Sequence, residues 1–231
     1  MTTPTRLDPL PLILVILTAT TGLVDAVSVL GLGRVFTANM TGNIVFFGFA
    51  AVGTPEFSIA RSSIALVAFL AGAVVGGRVM ARTTPDSQLR IASSGLGIEI
   101  ALLVAAMVTA ISYSGMRSQP VSKLYALIIL TALAMGVRNA TVRKFAVPDL
   151  TTTVLTLTLT GLAADSSLAL GSNPRWRRRV ASVVAMFGGA ALGAILVRHS
   201  VFGALAVSVA VSSACALALF FFDTSRPGLR T

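Results

Sequence analysis

FTANMTGNIVFFG, residues 36–48, sets two threonines and two asparagines (Thr37, Asn39, Thr41 and Asn43) directly before an apolar run. The continuously apolar part, Ile44 to Val52, is too short to cross a hydrocarbon core of about 30 Å unaided. The stretch therefore reads as a broken or re-entrant helix rather than an ordinary span. How it is read decides the fold, because it sets the number of crossings on either side of it.

The surrounding chain is oily. Of 231 residues, 55% are hydrophobic and only 11% charged, against roughly 25% charged in a soluble domain. So few charges cannot cover a water-facing surface. Apolar segments lie at about 10–31, 40–54, 60–80, 91–114, 122–142, 150–171, 180–198 and 200–222. Pro55, Pro85, Pro120, Pro148 and Pro174 mark the links between them. The expected fold is all-α: a polytopic membrane helix bundle of about 7–8 transmembrane segments, forming one integral membrane domain over residues 1–231. Arg6 is offset by Asp8 and the first apolar run continues past Asp25, which argues against a cleaved signal peptide.

The net charge of +10 fits basic loops and helix ends, as membrane topology requires, better than nucleic-acid binding. PRWRRR, Pro174 to Arg179, is the densest cluster and reads as a cytoplasmic loop near anionic lipid headgroups. Eight spans with the N-terminus inside would put ten basic residues on the cytoplasmic side and eight on the other, a slender bias in a direction that the arginine cluster favours. Cys215 and His199 each stand alone, so neither a disulfide nor a metal site is expected. No cofactor is implied. The chain lacks a P-loop, and no flanking motif supports a catalytic dyad of Asp25 and Asp165, so an enzyme is not expected.

The two halves of the chain look alike. GLVDA (Gly22 to Ala26) aligns with GVRNA (Gly136 to Ala140) at an offset of 114. NMTGN (Asn39 to Asn43) aligns with DLTTT (Asp149 to Thr153) at 110, and GAVVG (Gly72 to Gly76) with GAALG (Gly189 to Gly193) at 117. The expectation is two tandem repeats of about 115 residues, about 10–115 and 122–222, each with a short or broken second helix. Four crossings per half would make the halves parallel; three, with a re-entrant second helix, would make them inverted. The Gly72/Gly76 and Gly189/Gly193 pairs read as packing seams.

Charge at membrane depth by default marks a functional or a paired structural site. Thr18, Thr21, Gly22, Asp25 and Ser28 form one polar stripe on the first helix, and Asn139 aligns with Asp25 in the second half. Two readings of Asp25 stand side by side: an ion pair with Arg138 that holds the halves together, or a group that handles protons or solute. Glu99 either binds a basic partner or titrates. Polar residues of the two breaks and of the first and fifth segments make up the candidate substrate site: Asp25, Asn39, Thr41, Asn43, Arg138, Asn139, Asp149, Thr152 and Thr153. Asp25 and Glu99 are the candidates for a coupling ion or proton, with helix capping as the rival role for the NMTGN block.

GLVDAVSVLGLGRVFTANMTGNIVFFG, Gly22 to Gly48, resembles the signature of the YoaK-like family of bacterial multi-pass membrane proteins, a family classed as a domain of unknown function. Asp25-Ala26, Gly31 and Gly33, Phe36 and the Asn39–Asn43 block carry the resemblance, and GVRNATVRKFAVPDLTTT fits its second signature. The resemblance implies a bacterial inner (plasma) membrane protein of six to eight helices and supplies no substrate. The function expected from the residues is a small secondary transporter or exporter with a polar site between the halves. The alternative is a non-transporting scaffold or assembly component. Membrane lipids are the expected partners, with a small-molecule solute or a second copy of the chain as further ones; nucleic acid is not.

Overall fold

A computed structural model describes residues 9–82, 88–113, 120–145 and 155–224. Among the described residues all regular structure is helical, in eight α-helices. They are α1 (Leu10–Ala26), α2 (Met40–Ala51), α3 (Ile59–Arg82), α4 (Gln88–Thr109), α5 (Val121–Phe145), α6 (Leu155–Ala164), α7 (Trp176–His199) and α8 (Val201–Thr224). Pro11 stands in the first turn of α1, where its missing N–H costs nothing. Past Ala26 the helix widens into a π turn, Val27–Gly31. Single π turns of this kind are frequent at functional positions.

Five helices are long and apolar enough to cross a membrane: α1 with its π turn, α3, α5, α7 and α8. In α4 the apolar part runs over Ser93–Thr109. With 12 and 10 residues, α2 and α6 reach only about 18 and 15 Å, well short of the hydrocarbon thickness. They stand where the sequence suggested short or broken second helices.

The apolar core shows which way each helix runs. At the lower end, where α1 starts, Leu10, Ile13 and Leu14 cluster with Met80 of α3, Leu96 of α4, Val142 of α5, and Cys215 and Leu219 of α8. At the upper end Leu23 and Val27 cluster with Ala65 of α3, Ala106 and Ala110 of α4, Leu124 and Leu127 of α5, and Val201 and Leu205 of α8. Thus α1 and α4 run upward while α3, α5 and α8 run downward.

The closest helix pairs are α3 with α5 and α1 with α7. Each joins a helix of one half of the chain to a helix of the other, and glycines set both. A Cβ on Gly22 would strike the Met186 carbonyl, and one on Gly189 the Ala19 carbonyl. On the second seam, Gly72 faces the Leu133 backbone and Gly136 the Phe69 carbonyl. Further along, Gly193 lies against Leu23 and Gly76 against Val137, so contacts advance in the same direction on both helices of each pair. The pairs are parallel, and α7 therefore runs upward with α1. Close backbone approach through small residues is how helices gain dispersion contact where lipid removes the hydrophobic incentive.

Two neighbouring glycines provide controls, since Gly77 and Gly188 face open space. Gly72→Ala and Gly189→Ala are expected to lose about 1–3 kcal/mol through overpacking. Gly77→Ala and Gly188→Ala should leave the melting temperature of the detergent-purified protein unchanged or slightly raised.

Candidate functional site

At the centre of the bundle Arg138 of α5 and Glu99 of α4 are both buried, at 1% and 0% exposure. Arg138 donates Nε–H to Glu99 Oε2 at 2.8 Å, while its Nη2 bonds Glu99 Oε1 as the second arm of a fork and also reaches Ser212 Oγ of α8 at 3.1 Å. Nη1 donates to the Leu17 carbonyl (3.0 Å) and to the hydroxyls of Thr20 (2.7 Å) and Thr21 (3.1 Å) on α1. Ser212 donates in turn to Glu99 Oε1 at 2.9 Å. Thr20 and Thr21 spend their own hydrogens on the Leu17 carbonyl, which leaves their lone pairs to face the guanidinium. All three guanidinium nitrogens are engaged and both carboxylate oxygens accept, so the pair is satisfied without water.

The ion pair imagined between Asp25 and Arg138 is not the one that forms. Arg138 lies beside the Leu17–Thr21 turn of α1, and the carboxylate that meets its fork comes from α4. Asp25 sits one turn higher and is 7% exposed. Its Oδ1 accepts the Ala38 N–H at 3.2 Å. Among the described residues no cation pairs with it.

Ala38 is near Asp25 because the chain turns back into the bundle after α1. Leu32 and Val35 belong to the upper cluster. Ala38, in contrast, packs with Val24, Leu103, Ala134 and Met135, between the two end clusters. From that depth α2 climbs outward again, and Arg34 before it forms an ion pair with Glu56 after it. The two ends of the α2 segment thus return to the same side of the bundle.

Most of the opening block is engaged in making this turn. Asn39 caps α2, its Oδ1 accepting the Gly42 N–H at 3.4 Å. Asn43 braces Phe36 from both sides of its side-chain amide: Oδ1 accepts the Phe36 N–H at 2.9 Å, and Nδ2 donates to the Phe36 carbonyl at 2.5 Å. Gly42 is required because the Phe36 ring lies where its Cβ would be. That ring also stacks on Phe46 at 5.3 Å, which in turn meets Phe57 at 4.8 Å. Thr41 is exposed and Asn139 half-buried, with Asn139 Nδ2 donating to the Met135 carbonyl at 2.8 Å. Asp149, Thr152 and Thr153 lie outside the described residues.

Asp165 is held by Arg179, whose Nη1 approaches Asp165 Oδ2 at 2.7 Å and the Gly161 carbonyl at 2.6 Å. The guanidinium so neutralises the C-terminal end of α6. Of the groups around Arg138, the sequence reading missed Thr20 and Ser212. Each is one of several hydroxyls on its helix, beside Thr18 and Thr21 on α1 and Ser208 and Ser213 on α8, and only the packing of α1 and α8 against α5 singles it out.

These features define an all-helical membrane protein with a polar turn folded back to the depth of a buried carboxylate. The chain belongs to the family described as "Protein of unknown function (DUF1275)", which it matches over residues 13–218. It is similar to the UPF0700 transmembrane protein YoaK of Bacillus subtilis (strain 168), with 30% identity over 155 residues. That match covers 67% of this chain and 66% of the relative, a little under two thirds of the relative's length. No solved structure matches the chain.

Removing one member of a buried pair leaves an uncompensated charge, at a cost of about 3–5 kcal/mol. Glu99→Gln and Arg138→Met are each expected to lower the melting temperature strongly. The double variant Glu99→Leu/Arg138→Met should recover a large part of the loss, read by thermal denaturation in detergent.

Proposed function

We propose that the protein is a small secondary transporter of the bacterial inner membrane, built from two inverted halves with a polar site at the fold-back of the first. The observation that carries this reading is the position of Asp25. It is a carboxylate without a cationic partner among the described residues, midway through the bundle, against the N-terminal end of a half-length helix. Discontinuous helices meeting near the bilayer midplane are the usual substrate and ion sites of transporters built from inverted repeats.

The helix directions support the inversion. Pairing α1 with α5, α3 with α7 and α4 with α8 matches each upward helix to a downward one. The same exchange carries the α1–α7 seam onto the α5–α3 seam, in line with the offsets of 114 and 117 between their glycines. Each half then crosses three times, with α2 and α6 as re-entrant helices, for six crossings in all.

Charge supports the same topology. Among the described residues, Arg78, Arg82, Arg90, Arg143, Lys144, Arg175, Arg177, Arg178 and Arg179 belong to the lower ends of their helices. Arg34, Arg61, Lys123 and Arg198 are at the upper end. Nine against four is a clear bias, and it supports a cytoplasmic lower end. With six crossings the bias is larger than the ten against eight of the eight-span reading. In this reading Asp25 is the coupling group, and Glu99, its charge tied to Arg138, belongs to the frame.

The scaffold reading has one observation in its favour. A crevice of about 10 Å³, room for about one water, ends on Glu99 and Arg138 among apolar residues of α1, α4, α5 and α8, and Asp25 does not line it. A transporter between its two open states is closed in the same way.

Two measurements test the proposal. In a Cys215→Ser background, single cysteines at positions 34 and 56 should label from the same, external face of right-side-out vesicles, and cysteines at 144 and 177 only after permeabilisation. Labelling of 34 and 56 from opposite faces would sink the six-crossing topology. In proteoliposomes, uptake from a panel of small organic acids and amines should include a solute whose flux Asp25→Asn reduces at least tenfold. Wild-type protein that moves none of them leaves the scaffold reading.

A further inference from the structure

Thr37 is fully buried, at 0% exposure, and its Oγ1 has no hydrogen-bond partner. Threonines at membrane depth ordinarily bond back to a carbonyl of their own helix. Thr18, Thr20, Thr21 and Thr131 all do so in this bundle. Thr37 cannot, because it stands in the irregular fold-back between the π turn and α2. A buried hydroxyl left unsatisfied costs about 1–3 kcal/mol, so the position calls for a partner that the chain itself does not supply. It directly precedes Ala38, whose N–H is bound by Asp25.

Asp25 has the complementary need. Oδ1 is taken by Ala38 and Oδ2 accepts no hydrogen bond among the described residues. The surrounding helices bring no free positive charge to it. Arg138 of α5 is consumed by Glu99, Ser212 and the α1 turn. Neither α2, nor α7 between Arg179 and Arg198, nor α8 as far as Phe222 carries a Lys, Arg or His.

We propose that Asp25 and Thr37 form a binding site for one monovalent cation of about sodium size, ligated by the carboxylate, the threonine hydroxyl and carbonyls of the fold-back. The ligand set is all oxygen, which suits a hard cation. A single carboxylate balances a single charge and would leave a divalent ion half-neutralised at membrane depth. A proton on Asp25 would neutralise the carboxylate too. However, Thr37 Oγ1 has no hydrogen-bond partner, Asp25 included, and a proton on Asp25 does not supply a cation for it to ligate, whereas a bound ion would draw on both oxygens. The site rests on the reading of Asp25 as the coupling group and names what it couples to.

The test uses the full-length protein in detergent, with melting temperature followed against NaCl, LiCl, KCl and choline chloride at constant ionic strength. Sodium is expected to raise it saturably, on the order of 5 °C at a hundredfold excess over Kd, with choline inert. Asp25→Asn and Thr37→Val should abolish the response and Thr37→Ser retain it. Three results overturn the site: no preference of the wild type for sodium over choline, a sodium response that survives Thr37→Val, or a stabilisation by low pH alone that is indifferent to sodium. Sodium binding with no flux of any solute would preserve the site and remove the transporter reading, whereas solute flux indifferent to sodium would do the reverse.

Discussion

The guanidinium of Arg138 lies where α1, α4, α5 and α8 come together, and the arrangement of those four helices depends on what it touches. Its fork closes on Glu99 of α4, its other nitrogen reaches the Leu17–Thr21 turn of α1, and Ser212 of α8 bridges to the same carboxylate. Two opposite charges in a dry interior gain little net stability over well-packed apolar residues, but they are intolerant of displacement. Sliding any of the four helices along its axis would strand a charge or a lone pair. The network therefore fixes depth as well as contact, which the surrounding Leu, Val and Ala side chains, being interchangeable, cannot do. The fold-back between α1 and α2 is positioned on this fixed frame, one helical turn above it.

A chain that leaves its helix inside a membrane exposes amides that lipid cannot satisfy. The fold-back answers this with side chains. Asn43 takes both backbone groups of Phe36, Asn39 caps the new helix and Asp25 takes the Ala38 N–H. The aromatic rings of Phe36, Phe46 and Phe57 then cover the outer side. In this light the NMTGN block is chiefly architecture, and the chemistry at the turn falls to the two residues whose bonding it leaves incomplete, Asp25 and Thr37.

Much of the frame was legible in the sequence because membrane insertion leaves coarse signals. The apolar runs gave the helices, and the shortness of Ile44–Val52 gave the broken second helix. Matching glycine motifs marked two seams, although they mate across the halves, with Gly22 and Gly136, rather than with each other. The polar stripe on α1 was visible as well. Partner choice was not. Asp25 and Arg138 looked like natural partners from charge alone, yet pairing depends on the relative depth and rotation of three helices. Those are settled by packing between residues more than a hundred positions apart, which no local pattern records. Thr37 stood out in the opening stretch but not as a site residue, since a threonine shows its role only when its surroundings fail to satisfy it.

The cross-half seams also bear on how the protein is made. Gly22 of α1 meets its backbone partner, Met186, only when α7 has been inserted, and Gly72 of α3 meets Leu133 only when α5 has. While the ribosome is still translating the second half, the small-residue face of α1 is therefore turned to lipid or to the translocation machinery, with no protein surface to receive it. The α1 seam and the central pair are complete only with α7 and α8 in place.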